Sequence, residues 1–467
     1  MADELTFDKP NHSGGSLPGA PQATAGRVPV ITAIAALACG VLAAAALALP
    51  STFWLVLTGG FVFGAFYFLG GRLAEKALAT YWLAFCVFST ILTGYVIGGM
   101  FNIFYLWLII AVVVLFSTTG VVIDKVATWI LSSLFAVVFA SLVGYLGSLG
   151  GVALDRLLFI PIAVFSMFIV ASGRTPRLML SVMVVSSLAV AVWVIVTAAS
   201  AGFAYRGNLE LDQNVVSYYI GIGFTLVFGW FVSRKQRGTN FALVVGSLLV
   251  LAVLGYGIVL LASRGAMISL SLVMVAALLK SFWADRHRIW RVVLLLLLTS
   301  SALLLPGGQG VLKRFSDPST ETGGGRVLIW ETVIDSTQGS SMRQLLLGHG
   351  MNASEQLIRH EFGYLSSTHN SFLLILYDYG LLGMMLFASL HVLVFMRLVR
   401  RRDTLGIQLL LLLVFQVAIG LFITASDSYL YWLALGLMLG ATTVNDRESR
   451  IVSPTPPTRH LHRSRSG

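Results

Sequence analysis

Hydrophobic positions fall in uninterrupted stretches of roughly twenty residues, separated by short polar breaks that carry arginine or lysine. A helix of that length crosses the hydrocarbon core of a bilayer, about 30 Å at 1.5 Å per residue. The runs predict spans near 29–49, 51–70, 77–98, 102–122, 126–147, 157–173, 178–201, 215–233, 240–262, 265–283, 290–306, 369–396, 405–425 and 428–443. The break at Pro50-Ser51 is thin, and residues 29–70 admit a different split. The expected fold is all-α, a polytopic transmembrane helical bundle of about 12–14 spans.

Composition excludes the soluble alternatives. Hydrophobic residues make up 57% of the 467 positions and charged residues 11%, with a mean hydropathy of +0.87. A water-soluble domain carries about 25% charge. The net charge of +11 would suggest nucleic acid in a soluble protein; here its placement matters more, and no nucleic-acid partner is expected. With the N-terminus inside, every loop assigned to the cytoplasm is basic, from Arg72 and Lys76 to the run Arg400-Arg401-Arg402. The short outer loops keep only Arg156, Arg206 and Arg264. That asymmetry is the positive-inside rule, and it puts both termini in the cytoplasm.

The pattern divides the chain into a disordered tail at 1–28, a transmembrane bundle at 29–306, a long outer loop at 307–368, a second set of transmembrane helices at 369–443 and a basic tail at 444–467. The segment Met1 to Arg27 contains Asp3, Glu4 and Asp8, too long and acidic for a signal-peptide n-region, so the first span is expected to remain as an anchor. Cys39 and Cys86 both lie within apolar runs, and no disulfide framework or metal knot is readable.

The outer loop is Gly-rich at its start and holds Lys313, Arg314, Arg326, Arg343 and Arg359; long loops escape the charge rule. Within it, apolar residues at 327, 328, 330, 333 and 334 have helical spacing, which predicts a short helix on the membrane surface. Ionisable residues are nearly absent from the span interiors, with Asp378 the clearest buried acid, and an ion-coupled transporter generally needs them there. The polar chemistry gathers at the outer face instead.

Three constellations stand out. Arg264, in Ser263-Arg-Gly265, lies where one span ends outside and the next begins. It reads either as an interfacial snorkelling residue or as a guanidinium that grips phosphate with two parallel bonds. Arg326 begins the predicted surface helix, whose N-terminus adds positive potential suited to an anion; the plain alternative is a solvated loop arginine. The third runs from Leu347-Gly-His349-Gly350 to His369-Asn370 and on to Tyr377-Asp378-Tyr-Gly380-Leu-Leu-Gly383. His369 opens a span from the outer side, where a neutral imidazole can accept a proton, although a single histidine is more often structural. His349 is its rival. Asp378, nine residues on, points to the opposite face of a helix from His369 and is expected to pair elsewhere or cap a polar pocket.

Together these segments resemble the signature of the bacterial O-antigen ligase and polymerase superfamily, which includes exopolysaccharide polymerases. The resemblance is specific over about 260–395 and agrees with the topology of many spans and one long loop. It implies that the loop is periplasmic and that the protein resides in the bacterial inner membrane. The implied activity is transfer of a glycan from an undecaprenyl-diphosphate-linked oligosaccharide to an acceptor sugar hydroxyl, on a growing glycan or on the lipid A core. By the same resemblance His369 would activate the hydroxyl and Arg264 and Arg326 would hold the diphosphate, with Asp378, Asn370 and His349 supporting. No cofactor and no metal are implied. The lipid bilayer is the implied surrounding, and other polysaccharide-export proteins are compatible partners. The alternative from another class is a lipid-linked glycan transporter or other permease, which would need a polar pathway to the cytoplasm.

Overall fold

The computed structural model describes residues 125–143, 167, 176–200, 213–234, 241–284, 289–301, 304–305, 308, 325–364 and 366–451. The expected spans at 29–49, 51–70, 77–98 and 102–122, all but Met167 of 157–173, the tail at 1–28, residues 452–467 and the loop's start at 309–324 lie outside the described residues. So do Cys39 and Cys86.

Among the described residues all regular structure is helical. In chain order the helices are α1 (Lys125–Val143), α2 (Pro176–Ser200), α3 (Gln213–Ser233), α4 (Phe241–Leu261), α5 (Arg264–Ala284) and α6 (Ile289–Ser301). The long loop contributes α7 (Arg326–Gln338), α8 (Met342–Leu347) and α9 (Ala353–Phe362). Then come α10 (Ser371–Val399), α11 (Thr404–Gly420), a 3-10 turn (Ala425–Asp427) and α12 (Tyr429–Ile451), which continues past the apolar run ending at 443. Within this set α2, α3, α4, α5 and α10 are long and apolar enough to cross a membrane, and α1, α11 and α12 are shorter apolar helices. The protein is a polytopic all-α membrane protein.

The bundle is organised around α3, which packs against α2, α4, α5 and α11. Lipid tails are as apolar as leucine, so helices in a bilayer associate by close packing of small residues. Gly221 sits under the Phe415 ring and Gly223 against the Ser187 side chain, while a Cβ on Gly229 would come 2.9 Å from the Cα of Gln408. Side chains at these positions would push α2 and α11 away from α3.

Hydrogen bonds sort the loops by end. At one end Lys280 donates to the Val399 carbonyl (2.8 Å), Arg401 to the Ala441 carbonyl (2.8 Å) and Arg291 to those of Phe231 and Arg234. This is the basic end. At the other, Ser263 donates to the Asn214 side chain (3.1 Å), Ser371 to the Ile423 carbonyl (3.1 Å) and Thr424 to the Ser367 hydroxyl (3.2 Å).

The run at 369–396, read from hydropathy as one span, is two arms. Gly380 interrupts α10 with φ 70° and ψ −173°. The rings of Phe372 and Phe387 lie 5.9 Å apart, whereas fifteen residues of straight helix extend about 22 Å. The arm Leu381–Val399 is about 28 Å long, enough to cross the bilayer. The surplus arm, Ser371–Tyr379, joins the loop helices. Hydropathy cannot register this break, because one glycine leaves the apolar run intact.

Candidate active site

The segment leading into α10 is fixed by short polar residues. Asn370 is the helix N-cap, its side-chain oxygen accepting from the backbone N–H of Phe372 (2.9 Å) and Leu373 (3.2 Å). Thr368, fully buried, donates to the Asn370 carbonyl at 2.8 Å. Between them His369 adopts φ +50°, a left-handed conformation that costs a non-glycine residue about 1–2 kcal/mol. Such a conformation persists only where its surroundings impose it. The half-buried imidazole has Ser366 Oγ 3.3 Å from Nε2 and Ser367 Oγ 3.4 Å from Nδ1.

Two further elements are tied to this segment. Trp330, one turn after Arg326 on α7, donates its indole N–H to the Thr368 carbonyl at 2.9 Å. Residues four apart share a helix face, so Arg326 is carried beside the His369 segment. Arg326 follows Gly325, whose φ of +83° turns the chain into the helix. On the other side, Arg264 opens α5, and a Cβ on the adjacent Gly265 would meet Phe422 Cγ at 3.2 Å. Phe422 belongs to the turn whose Ile423 and Thr424 hold Ser371 and Ser367. Arg264, Arg326 and His369 are thus brought to one end of the bundle from three separate elements.

The remaining polar residues form a second constellation. His349 lies flat on Tyr377, with ring centroids 4.1 Å apart and planes 6° from parallel. Its Nδ1 is 3.2 Å from the Tyr377 carbonyl and its Nε2 is 2.9 Å from Ser340 Oγ. A carbonyl can only accept, so Nδ1 donates to Tyr377, while the Ser340 hydroxyl beside Nε2 also donates to the Ser336 carbonyl at 2.8 Å. The backbones of this loop and of α10 touch directly. His349 and Gly350 donate N–H to the carbonyls of Tyr377 (2.9 Å) and Asp378 (3.1 Å). Gly348, with φ +84°, and Gly380, with φ +70°, face each other; a Cβ on Gly380 would lie 2.5 Å from the Leu346 carbonyl oxygen.

Asp378 is fully buried, and its two carboxylate oxygens accept from the backbone N–H of Asn352 (3.0 Å) and Ser354 (2.8 Å). These are the unsatisfied donors at the start of α9, so Asp378 caps that helix from another element, where the helix dipole also favours a carboxylate. His360, by contrast, is 84% exposed and touches only its neighbour Glu361 among the hydrogen bonds it makes here.

Residues 247–388 match the family model described as O-antigen ligase. Over that segment, just under a third of its length, the chain is similar to the O-antigen ligase family. The matched segment runs from α4 into the second arm of α10, and it contains Arg264, Arg326, His349, His369, Asn370 and Asp378. The central helix α3 and the closing helices α11 and α12 lie outside it. No curated protein matches the chain. Members of the superfamily are glycosyltransferase-like ligases and polymerases of the membrane. Several residues that build the candidate site carried no sequence signal of their own: Trp330, Thr368, Thr424 and the two serines before His369. Only the Asn370 cap could be found by rule, as an Asn directly before a long apolar run.

Proposed function

We propose that the chain is a membrane glycosyltransferase that transfers or polymerises a glycan from an undecaprenyl-diphosphate-linked donor to an acceptor sugar hydroxyl at the periplasmic face. The carrying observation is the arrival of Arg264, Arg326 and His369 at one end of the bundle, opposite the basic end. Arginine-rich loops favour the cytoplasm, which supports a site on the periplasmic side of the inner membrane, with both termini cytoplasmic. In the reaction the acceptor oxygen forms a bond to the anomeric carbon as the bond from that carbon to the diphosphate oxygen breaks. Neutral His369 takes the proton of the attacking hydroxyl. The departing diphosphate gains charge, and Arg264 and Arg326 stabilise it through paired N–H bonds. The acceptor is the growing chain or the lipid A core.

The test is transfer by the full chain in vesicles supplied with an undecaprenyl-diphosphate-linked glycan and an acceptor, read on a glycan gel. Arg264→Lys and Arg326→Lys should insert normally and lose most activity, because an ammonium cannot make the paired bonds of a guanidinium. Full activity in both variants would remove the diphosphate-binding role.

A further inference from the structure

The short helix α8 (Met342–Leu347) has the sequence Met-Arg-Gln-Leu-Leu-Leu and buries none of its residues. Met342 is 70% exposed, Leu346 43% and Leu347 47%. Six residues are too few to hold a helix in water by propensity, and among the described residues this apolar surface is left exposed. A capping box between Ser341 and Gln344 fixes its start, but a cap does not explain three leucines in sequence.

The position of α8 supplies the explanation. Its Leu346 carbonyl lies against Gly380, and Gly348 just beyond it lies against Asp378 and Gly380. Helix α8 is therefore fastened at the break in α10, where the membrane-crossing arm begins. That arm exposes Leu381 (40%), Leu382 (37%) and Met385 (51%) in its first turns. On a membrane-crossing arm, exposed apolar side chains are suited to hydrocarbon, and the Leu346–Gly380 contact sets α8 beside the start of that arm. Arg343, exposed and four residues before Leu347, shares that side of the helix, where an arginine can lay its stem along apolar chains and lift its guanidinium to the headgroup phosphates.

We infer that α8 is an interfacial helix, with Met342, Leu346 and Leu347 inserted into the outer leaflet and Arg343 at the phosphate level. The occupant of this surface is bilayer lipid. The inference is independent of the proposed glycosyl transfer, since it concerns only how the loop is held at the membrane. Its consequence is a fixed depth: insertion of α8 sets the height of the Gly380 break, and with it the height of Asp378 and the arm that follows His369.

The experiment uses the full chain, with its native cysteines Cys39 and Cys86 changed to Ser, in phosphatidylglycerol-containing vesicles. Single cysteines Met342→Cys, Leu346→Cys and, as an aqueous reference, His360→Cys carry a bimane label. Lipids brominated in the acyl chains should quench labels at 342 and 346 at least twofold more than the label at 360, and aqueous iodide should show the reverse order. Equal iodide quenching at all three positions would place α8 in water. Labels at 342 and 346 shielded from both quenchers would mean that protein covers the face. Either result overturns the inference. Hydrogen exchange of the unsubstituted chain gives a second reading, with the amides of 343–347 slower in vesicles than in a short-chain detergent; equal rates would count against insertion.

Discussion

His349 stands within the long loop and His369 at its end, and both are flanked by residues of a motif, yet the structure surrounds them differently. At His349 the ring itself is fixed: it is stacked on Tyr377 and both nitrogens are held, by a carbonyl at 3.2 Å and a serine at 2.9 Å. At His369 it is the surrounding backbone that the polar contacts fix, through the Asn370 cap, the Trp330 bond to Thr368 and the Thr424 bond to Ser367. Its ring meets serine hydroxyls at 3.3 and 3.4 Å, beyond the usual range of a strong hydrogen bond. A strut needs an immobile ring with both nitrogens engaged. A base needs an immobile backbone and a ring able to exchange a proton. The difference lies in what is held, and the motif around each histidine does not reveal it.

The sharpest way to break this comparison is to remove each ring in turn. His369→Ala is expected to lower transfer at least about 10²-fold, the usual worth of a general base, with protein level unchanged and lipid-linked donor accumulating. His349→Phe keeps the stack on Tyr377 and loses two hydrogen bonds, about 1–3 kcal/mol of loop stability, with activity within about tenfold of wild type. Equal loss in the two variants at equal protein level would erase the distinction.

The next largest effect concerns the backbone contact under His349. Gly380→Ala must hold an alanine at φ +70° while its Cβ meets the carbonyl of Leu346, and backbone cannot yield as a flexible side chain would. The left-handed conformation alone costs about 1–2 kcal/mol, and the collision adds to it. Gly325→Ala shares the positive φ, at +83°, but its Cβ would meet nothing within 4 Å. Limited proteolysis should therefore open the loop readily in Gly380→Ala and little in Gly325→Ala. Equal resistance would mean that the Gly348–Gly380 contact does not hold the loop.

That contact also marks where the sequence stops being informative. Bundle helices are written in long apolar runs, and α3, α4 and α5 begin and end within about three residues of the runs that predict them. The short helix from Arg326 was likewise legible from spacing, although of its predicted apolar face Val327, Leu328 and Ile334 stay exposed in the protein and Val333 is buried, as is Ile329, which that face did not include. Asp378 was legible as a buried acid but its partners were not, because they are backbone N–H groups of Asn352 and Ser354 and leave no trace in side-chain identity. The helical arithmetic separating Asp378 from His369 assumed one continuous helix, whereas His369 precedes the cap at Asn370. What was hidden shares one property: it is contact between backbones distant in sequence.

Asp378→Asn tests that class of contact with a smaller expected effect. The amide offers one accepting oxygen where the carboxylate offers two, and its NH2 would face a backbone N–H. One buried donor at the start of α9 is left unpaired, at a cost of about 1–3 kcal/mol. The thermal midpoint of the loop's unfolding, followed by proteolysis, should fall while His369-dependent transfer persists at reduced rate. An unchanged midpoint would show that α9 needs no cap from α10.

The smallest effect is expected at the basic end, and it bounds the comparison from outside the site. Arg401 grips Asp403 with two bonds, 2.8 and 2.7 Å, and also donates to the Ala441 carbonyl. Burial alone would raise the Asp403 carboxyl; the Arg401 guanidinium outweighs it and holds the group below its ordinary 3.8. Asp403 is about half exposed, so solvent screens the pair, and such pairs contribute about 0–1 kcal/mol. Because the folded pKa is depressed, that contribution is complete above the unfolded value and disappears as pH falls through the folded one. Arg401→Lys should thus lower the melting temperature slightly and by the same amount from pH 5 to pH 8, the difference narrowing only below about pH 4. Transfer should be unchanged, since no element of the Arg264, Arg326 and His369 end is touched. A substantial loss of transfer in this variant would mean that the two ends of the bundle are coupled, and that fixing the His369 backbone requires more than the polar residues around it.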